Sequence, residues 1–134
     1  MSQENVELLH RWRESWARQD VDAAVACLHT DVEIDFSAAR GPFRGVYLGR
    51  AEAVGMWRSV WEAWGEVGID FAEVVDCGDG RLITVNVFRG EGRTSGIRTE
   101  ARVANLWHVR DGFIHRVQMF QSKDKALEAV GLAE

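Results

Sequence analysis

The chain has 134 residues, 46% of them hydrophobic and 28% charged, the size and balance of one soluble domain that buries its own core. A formal net charge of −5 argues against a general nucleic-acid surface. No apolar run approaches the roughly 18 residues of a membrane helix, and Met1-Ser2-Gln3-Glu4-Asn5 lacks the basic and apolar regions of a signal peptide. A cytoplasmic protein is expected, with Cys27 and Cys77 as free thiols, since they form neither a CxxC nor a zinc spacing.

Residues 3–18 read as an amphipathic helix capped by Ser2, with Asn5, Leu9, Trp12 and Trp16 on one stripe. Asp20 caps a second helix from Val21 to Leu28. Val32 to Phe36 alternates strictly and reads as a strand. Residues 37–49, with Pro42, Gly41, Gly45 and Gly49, read as a loop that rims or covers a pocket, and Arg40 and Arg44 in it are either gating or simply solvated residues. A third helix runs from about Arg50 to Trp64, with Ala53, Val54, Trp57, Val60, Trp61 and Trp64 on its stripe. Val67 to Cys77 reads as a strand whose alternation Glu73 breaks. Gly78-Asp79-Gly80 is a turn, Leu82 to Arg89 a strand, and 90–96 a flexible connection. Ile97 to Arg110 and Phe113 to Gln121 flank Asp111-Gly112, a two-residue hairpin signal. Ala126 to Val130 forms a short tail helix ended by Gly131. Residues 1–134 read as a single α+β domain of three helices in the N-terminal half, a curved antiparallel sheet and a C-terminal helix.

This order, with Gly49-Arg50 opening the third helix, Arg110-Asp111-Gly112-Phe113-Ile114 closing the meander and the ending Ala126-Leu127-Glu128-Ala129-Val130-Gly131-Leu132, resembles the nuclear transport factor 2-like superfamily and within it the SnoaL-like branch, named for a polyketide cyclase. The resemblance covers residues 3 to 132. It implies a cone: a curved sheet wrapped around the helices, an apolar pocket for a small organic molecule, and a homodimer through the sheet face. It does not fix a reaction, because the superfamily holds isomerases, epoxide hydrolases, cyclases, dehydratases and non-catalytic domains.

A two-residue turn at Asp111-Gly112 puts Val103, Asn105, Trp107, Ile114 and Arg116 on one face of the hairpin. It puts Arg102, Leu106, His108, His115, Val117, Met119 and Gln121 on the other. Similarity to ketosteroid isomerase implies that the face with His115, Val117, Met119 and Gln121 lines the pocket, and Glu100, Arg102 and His108 follow it there. A longer turn would swap the faces and bring Asn105 inside. The family's catalytic positions are occupied differently here. The isomerase's tyrosine matches Trp12, its carboxylate base matches Phe36 with Asp35 adjacent, its protonated acid falls near Asn105 or Leu106, and the last-strand acid of the hydrolase and cyclase matches Met119.

The candidates are therefore Asp35, Glu100 and His115 for proton transfer, and Trp12, Trp16, Phe36, Trp57, Trp61, Arg102, Asn105, Val117, Met119 and Gln121 for holding the ligand. His115 with His108 is a possible proton relay or a partly solvated pair. Glu100 and Arg102 are either substrate-binding groups or rungs of a cross-strand charge ladder. No metal and no cofactor is expected. Three readings stay open: a cofactor-free acid–base isomerase, cyclase or dehydratase; a non-catalytic module for a hydrophobic ligand; and a dimerisation domain with a filled cone.

Overall fold

The computed structural model describes residues 2–132 and, for Ser2, the backbone alone, so the expected cap by its side chain lies outside the described residues. Helix α1 spans Ser2–Ala17. Its Leu8, Leu9, Trp12 and Trp16 are buried, and Gln19 ends it in the left-handed region at φ 57°. Helix α2 is Val21–Val25, with the Asp20 carboxylate accepting from Ala23 N at 3.2 Å. It stops short of the expected Leu28 because Ile114 N donates to Cys27 O at 2.8 Å and draws the chain into the sheet. Strand β1 is Leu28–Phe36 and β2 is Gly45–Leu48. Helix α3 is Gly49–Ala63. Strands β3 Trp64–Gly78, β4 Arg81–Gly92, β5 Arg98–Arg110 and β6 Phe113–Phe120 follow, then helix α4, Lys123–Ala129, capped by Ser122.

The six strands form one sheet in the order β2-β1-β6-β5-β4-β3. The meander β3 to β6 is antiparallel as expected, but the sheet as a whole is mixed: β1 lies parallel to β6 and β2 closes that edge. Strand β2 stands inside the segment read as loop; four residues holding a glycine carry too little alternation to show in the sequence. The Gly49-Arg50 pair acts here. Gly49 has φ +82°, and the Arg50 guanidinium donates twice to Leu28 O, at 2.6 and 3.1 Å, which locks α3 against the start of β1.

The sheet curls because β3 and β4 slip register three times. One slip lies between Phe71 and Glu73, where the sequence loses its alternation. The extra residue, Ala72, turns Val67, Ile69, Phe71 and Val74 toward the helices, and leaves Glu73 outside to pair with Lys123 at 2.7 Å. The main core lies between the concave face and α1–α3. A second cluster lies on the opposite face, where Ala126 of α4 packs over Ile83, Ala104 and Leu106.

Two glycines test this geometry in opposite directions. A Cβ on Gly80, at φ +76°, would stand 2.2 Å from Val109 O, so Gly80→Ala should destabilise by about 2 kcal/mol or more. Gly55 lies exposed within α3 with nothing within 4 Å of its Cβ position, so Gly55→Ala should stabilise by about 0.5–1 kcal/mol. Urea unfolding of both variants reads the two signs.

Candidate functional site

The concave face is built in rows that the strand register dictates. Ile34, Val117, Trp107 and Leu82 lie side by side across β1, β6, β5 and β4. The next row is Met119, Asn105 and Thr84, and beyond it come Val103 with Asn86 and Ala101 with Phe88. Between these rows and the helices is a cavity of about 620 Å³. Its volume falls in the ligand-pocket range of about 300–1,000 Å³.

Tryptophans make the helix side. Trp12 stands edge-on to Trp107 at 5.2 Å between ring centroids, with Trp57 at 6.1 Å and Trp16 at 6.2 Å. Trp12, Trp16, Trp57 and Trp107 all line the cavity, as do Phe36, Asn105, Val117 and Met119. Trp61 does not. It is buried behind them against Trp16 and Trp57, and borders instead a smaller cleft with Arg58 and Arg93.

Polar groups are few. Trp107 Nε1–H donates to the Thr84 hydroxyl at 2.8 Å, and that hydroxyl donates to Asn86 Oδ1 at 2.7 Å, a chain buried under the cavity floor. Two further atoms of lining residues, Trp12 Nε1 and Asn105 Oδ1, are buried with no hydrogen-bond partner. A buried polar atom without a partner costs about 1–3 kcal/mol. Among the described residues the lining holds one ionisable side chain, Arg40; no carboxylate, imidazole or thiol reaches it.

The expected β5 face is corrected. The turn at Asp111-Gly112 is the two-residue turn foreseen, with Arg110 opposite Phe113 and Val109 opposite Ile114. The next pair is His108 with Arg116, so His115 is an extra residue in β6. Val117 and Met119 still face inward, but their partners become Trp107 and Asn105. Asn105 therefore lies inside, through a bulge rather than a longer turn. Glu100 and Arg102 are exposed on the outer face. Glu100 accepts from Arg89 Nε at 3.1 Å, and Arg89 also pairs with Asp70, a charge ladder across three strands. Gln121 also misses the cavity lining and donates to Ala38 O at 2.6 Å.

Asp35 likewise faces away from the cavity, between the inward Ile34 and Phe36. It accepts from the Ser37 hydroxyl at 2.6 Å and from Ser37 N at 3.0 Å, with Arg116 Nη2 at 3.4 Å. The Ser37 hydroxyl chiefly holds its carboxyl below the ordinary value, against the opposing effect of burial, with Ser37 N–H and Arg116 assisting. The supposed His108–His115 pair is absent: His115 stacks on His29 at 4.1 Å instead. His108 Nε2 and His115 Nε2 are each buried without a partner. Burial lowers the pKa of both, helped by Arg116 and Arg81 at His108 and by His29 and Arg110 at His115. Sequence reasoning passed over Val103, Thr84 and Asn86, which only the strand register brings to the site.

The architecture is thus an α+β cone whose curved sheet and helices enclose an apolar cavity. The SnoaL-like domain family matches residues 9–117, and the chain belongs to it. No curated protein matches the sequence. Solved structures share the fold at low identity. A nuclear-transport-factor-2-like protein from Burkholderia xenovorans LB400 is 21% identical, with 96% of this chain and 95% of that one covered and a TM-score of 0.74. TerC, co-crystallised with polyporic acid, is 19% identical over 95% of this chain and 98% of its own, with a TM-score of 0.76. A Mycobacterium tuberculosis protein in complex with estradiol-17beta-hemisuccinate is 13% identical over 90% and 95%, with a TM-score of 0.77.

The two depressed imidazoles make stability depend on pH. Below the free-histidine value of about 6.5 the unfolded chain takes up protons that the folded chain resists, so stability falls as pH falls. The unfolding free energy in urea should be level above about pH 7 and decline between about pH 6.5 and 5. His108→Gln should flatten that decline, and an unchanged slope in the variant would remove His108 as its source.

Proposed function

We propose that this SnoaL-like chain binds a small, flat, largely apolar organic molecule in the cone and performs no acid–base chemistry on it. One observation carries the second half of the reading: among the described residues, no group that lines the cavity can take or give a proton near neutral pH. A guanidinium and an indole N–H donate hydrogen bonds without exchanging protons near neutral pH. General acid–base catalysis needs a titrating group within about 3.2 Å of the reacting atom, directly or through one water. Asp35, Glu100 and His115 all lie outside the lining.

The cavity's size and its indole walls support the first half. Aromatic walls suit a planar ring system, which they hold by area and by stacking. Few polar residues line the cavity, Asn86, Ser95, Thr99 and Asn105 among them, which suits a ligand with few polar atoms. In two neighbours of the same fold the crystallised partner is a small organic molecule, which fits the same reading.

Assembly rests on the opposite face. There α4 already covers Ile83, Ala104 and Leu106. A homodimer through the sheet therefore seats on the part carrying Asp70, Arg89 and Glu100. Sedimentation at micromolar concentration tests it, and a monomer there would end the dimer reading.

The binding test is quenching of tryptophan fluorescence by planar polycyclic and terpenoid compounds, together with native mass spectrometry for a co-purified ligand. At least one planar class should quench at micromolar concentration. Val103→Trp, which fills the half-buried wall beside Asn86, should weaken that binding at least about tenfold. Asp35→Asn, Glu100→Gln and His115→Ala should each change it less than about twofold. No bound mass and no quenching across the set would defeat the reading. A substrate whose turnover falls about tenfold in any of those three variants would restore the acid–base alternative.

A further inference from the structure

The lining residues grade from buried to exposed, and this gives the cavity a direction. Trp107, Asn105 and Asn86 are almost fully buried, Val103 is half-buried, and Ala101 and Ile97 are exposed. The mouth therefore lies toward the β4–β5 connection. Facing that connection is the segment between β1 and β2. Strand β1 stops beside the row of Met119 and Asn105, and β6 stops one residue beyond it. Residues 37–44 then stand where a further strand would be.

That segment is braced on both sides of Arg40. Ala39 N donates to Phe36 O at 3.0 Å, Gln121 Nε2 to Ala38 O at 2.6 Å, and Arg44 Nε to Ser37 O at 3.1 Å. Ala39 is itself buried in the cavity wall. Other arginines already have partners: Arg44 as above, Arg93 on Trp61 O and Glu62 O, and Arg116 on Glu33 and Asp35. Arg40 lines the cavity and has no hydrogen bond or ion pair among the described residues. A guanidinium at the edge of an apolar cavity favours an anion there, because its planar fork of N–H donors matches a carboxylate while the cavity holds the carboxylate's apolar body beside it. The protein as a whole carries −5 and repels anions at long range, so any preference for an acid must arise locally.

The geometry points to an organic acid as the ligand class of this cavity, with its flat apolar body against Trp12, Trp57 and Trp107 and its carboxylate at the mouth on Arg40. The inference rests on the binding reading above and adds polarity and direction to it. The ring system enters first, and the acid group keeps its outer oxygens in water.

A matched pair of probes separates this proposal from the reading it rests on. 1-Pyrenebutyric acid and its neutral amide, 1-pyrenebutyramide, share one ring system, and each can be titrated by energy transfer from tryptophan. The intact protein should bind the acid about five- to tenfold more tightly than the amide. Arg40→Gln should bring the two within about twofold by weakening the acid alone, and Arg40→Lys should keep part of the preference. Arg40 is exposed and unpartnered, so the fold should survive both changes. If acid and amide bind the intact protein equally, or Arg40→Gln keeps the full preference, the Arg40 assignment is overturned while the binding reading stands. If neither probe binds, the binding reading fails and takes this proposal with it.

Discussion

His115 is one residue more than β6 needs to match β5, and its insertion sets the chemistry of the cavity. Side chains alternate along a strand, so one extra residue exchanges which face of β5 meets which face of β6. With the bulge, Val117 and Met119 meet Trp107 and Asn105, and the concave face stays apolar. In an unbroken ladder Val117 and Met119 would meet Leu106 and Ala104 instead, and Glu100, Arg102 and His108 would share that inward face. The cavity would then hold an acid, a base and a cation. The sequence thus contains the makings of two sites, and a single backbone irregularity selects between them.

The charged groups excluded from the cone are organised on the other face. Asp70, Arg89 and Glu100 form a ladder over β3, β4 and β5. Glu33 and Asp35 flank Arg116 between β1 and β6. Exposed pairs of this kind contribute little stability, about 0–1 kcal/mol each. Their weight is in specificity. A one-residue slip would carry these groups into an apolar cavity, where an unpaired charge costs several kcal/mol. The ladders therefore hold the register that the bulge creates, and the apolar rows on the concave side hold it from within.

Much of this was legible in the chain. The stripe of Leu9, Trp12 and Trp16, the stripe of Trp57, Val60 and Trp61, and the Asp111-Gly112 turn each rest on local periodicity or turn chemistry, and each stands where expected. Glu73 announced a break, and a bulge lies there. The bulge at His115 had no such mark, because both phases of 113–121 are amphipathic enough to face inward. Strand β2 was hidden for another reason: its pairing with β1 is a long-range event in a segment whose local composition says turn. The β1 face was readable because Ile34 and Phe36 are the apolar phase, and this alone places Asp35 outside. Thr84 and Asn86 belong to the concave face, but a polar residue in an apolar strand gives no sign of which side it serves until the register is known.

The state of the empty cavity bears on how tightly it holds a guest. Trp12, Trp57 and Trp107 are fixed by one another at 5.2 and 6.1 Å, and Trp107 is further tied to Thr84. Such a wall loses little side-chain freedom when a ring system enters. Asn105 Oδ1 and Trp12 Nε1 are already out of water without a partner. Their desolvation is a cost carried by the fold, not by association. Rigidity of this kind moves part of the penalty of binding into folding, and the second cluster under α4 adds burial on the other side of the sheet to carry it.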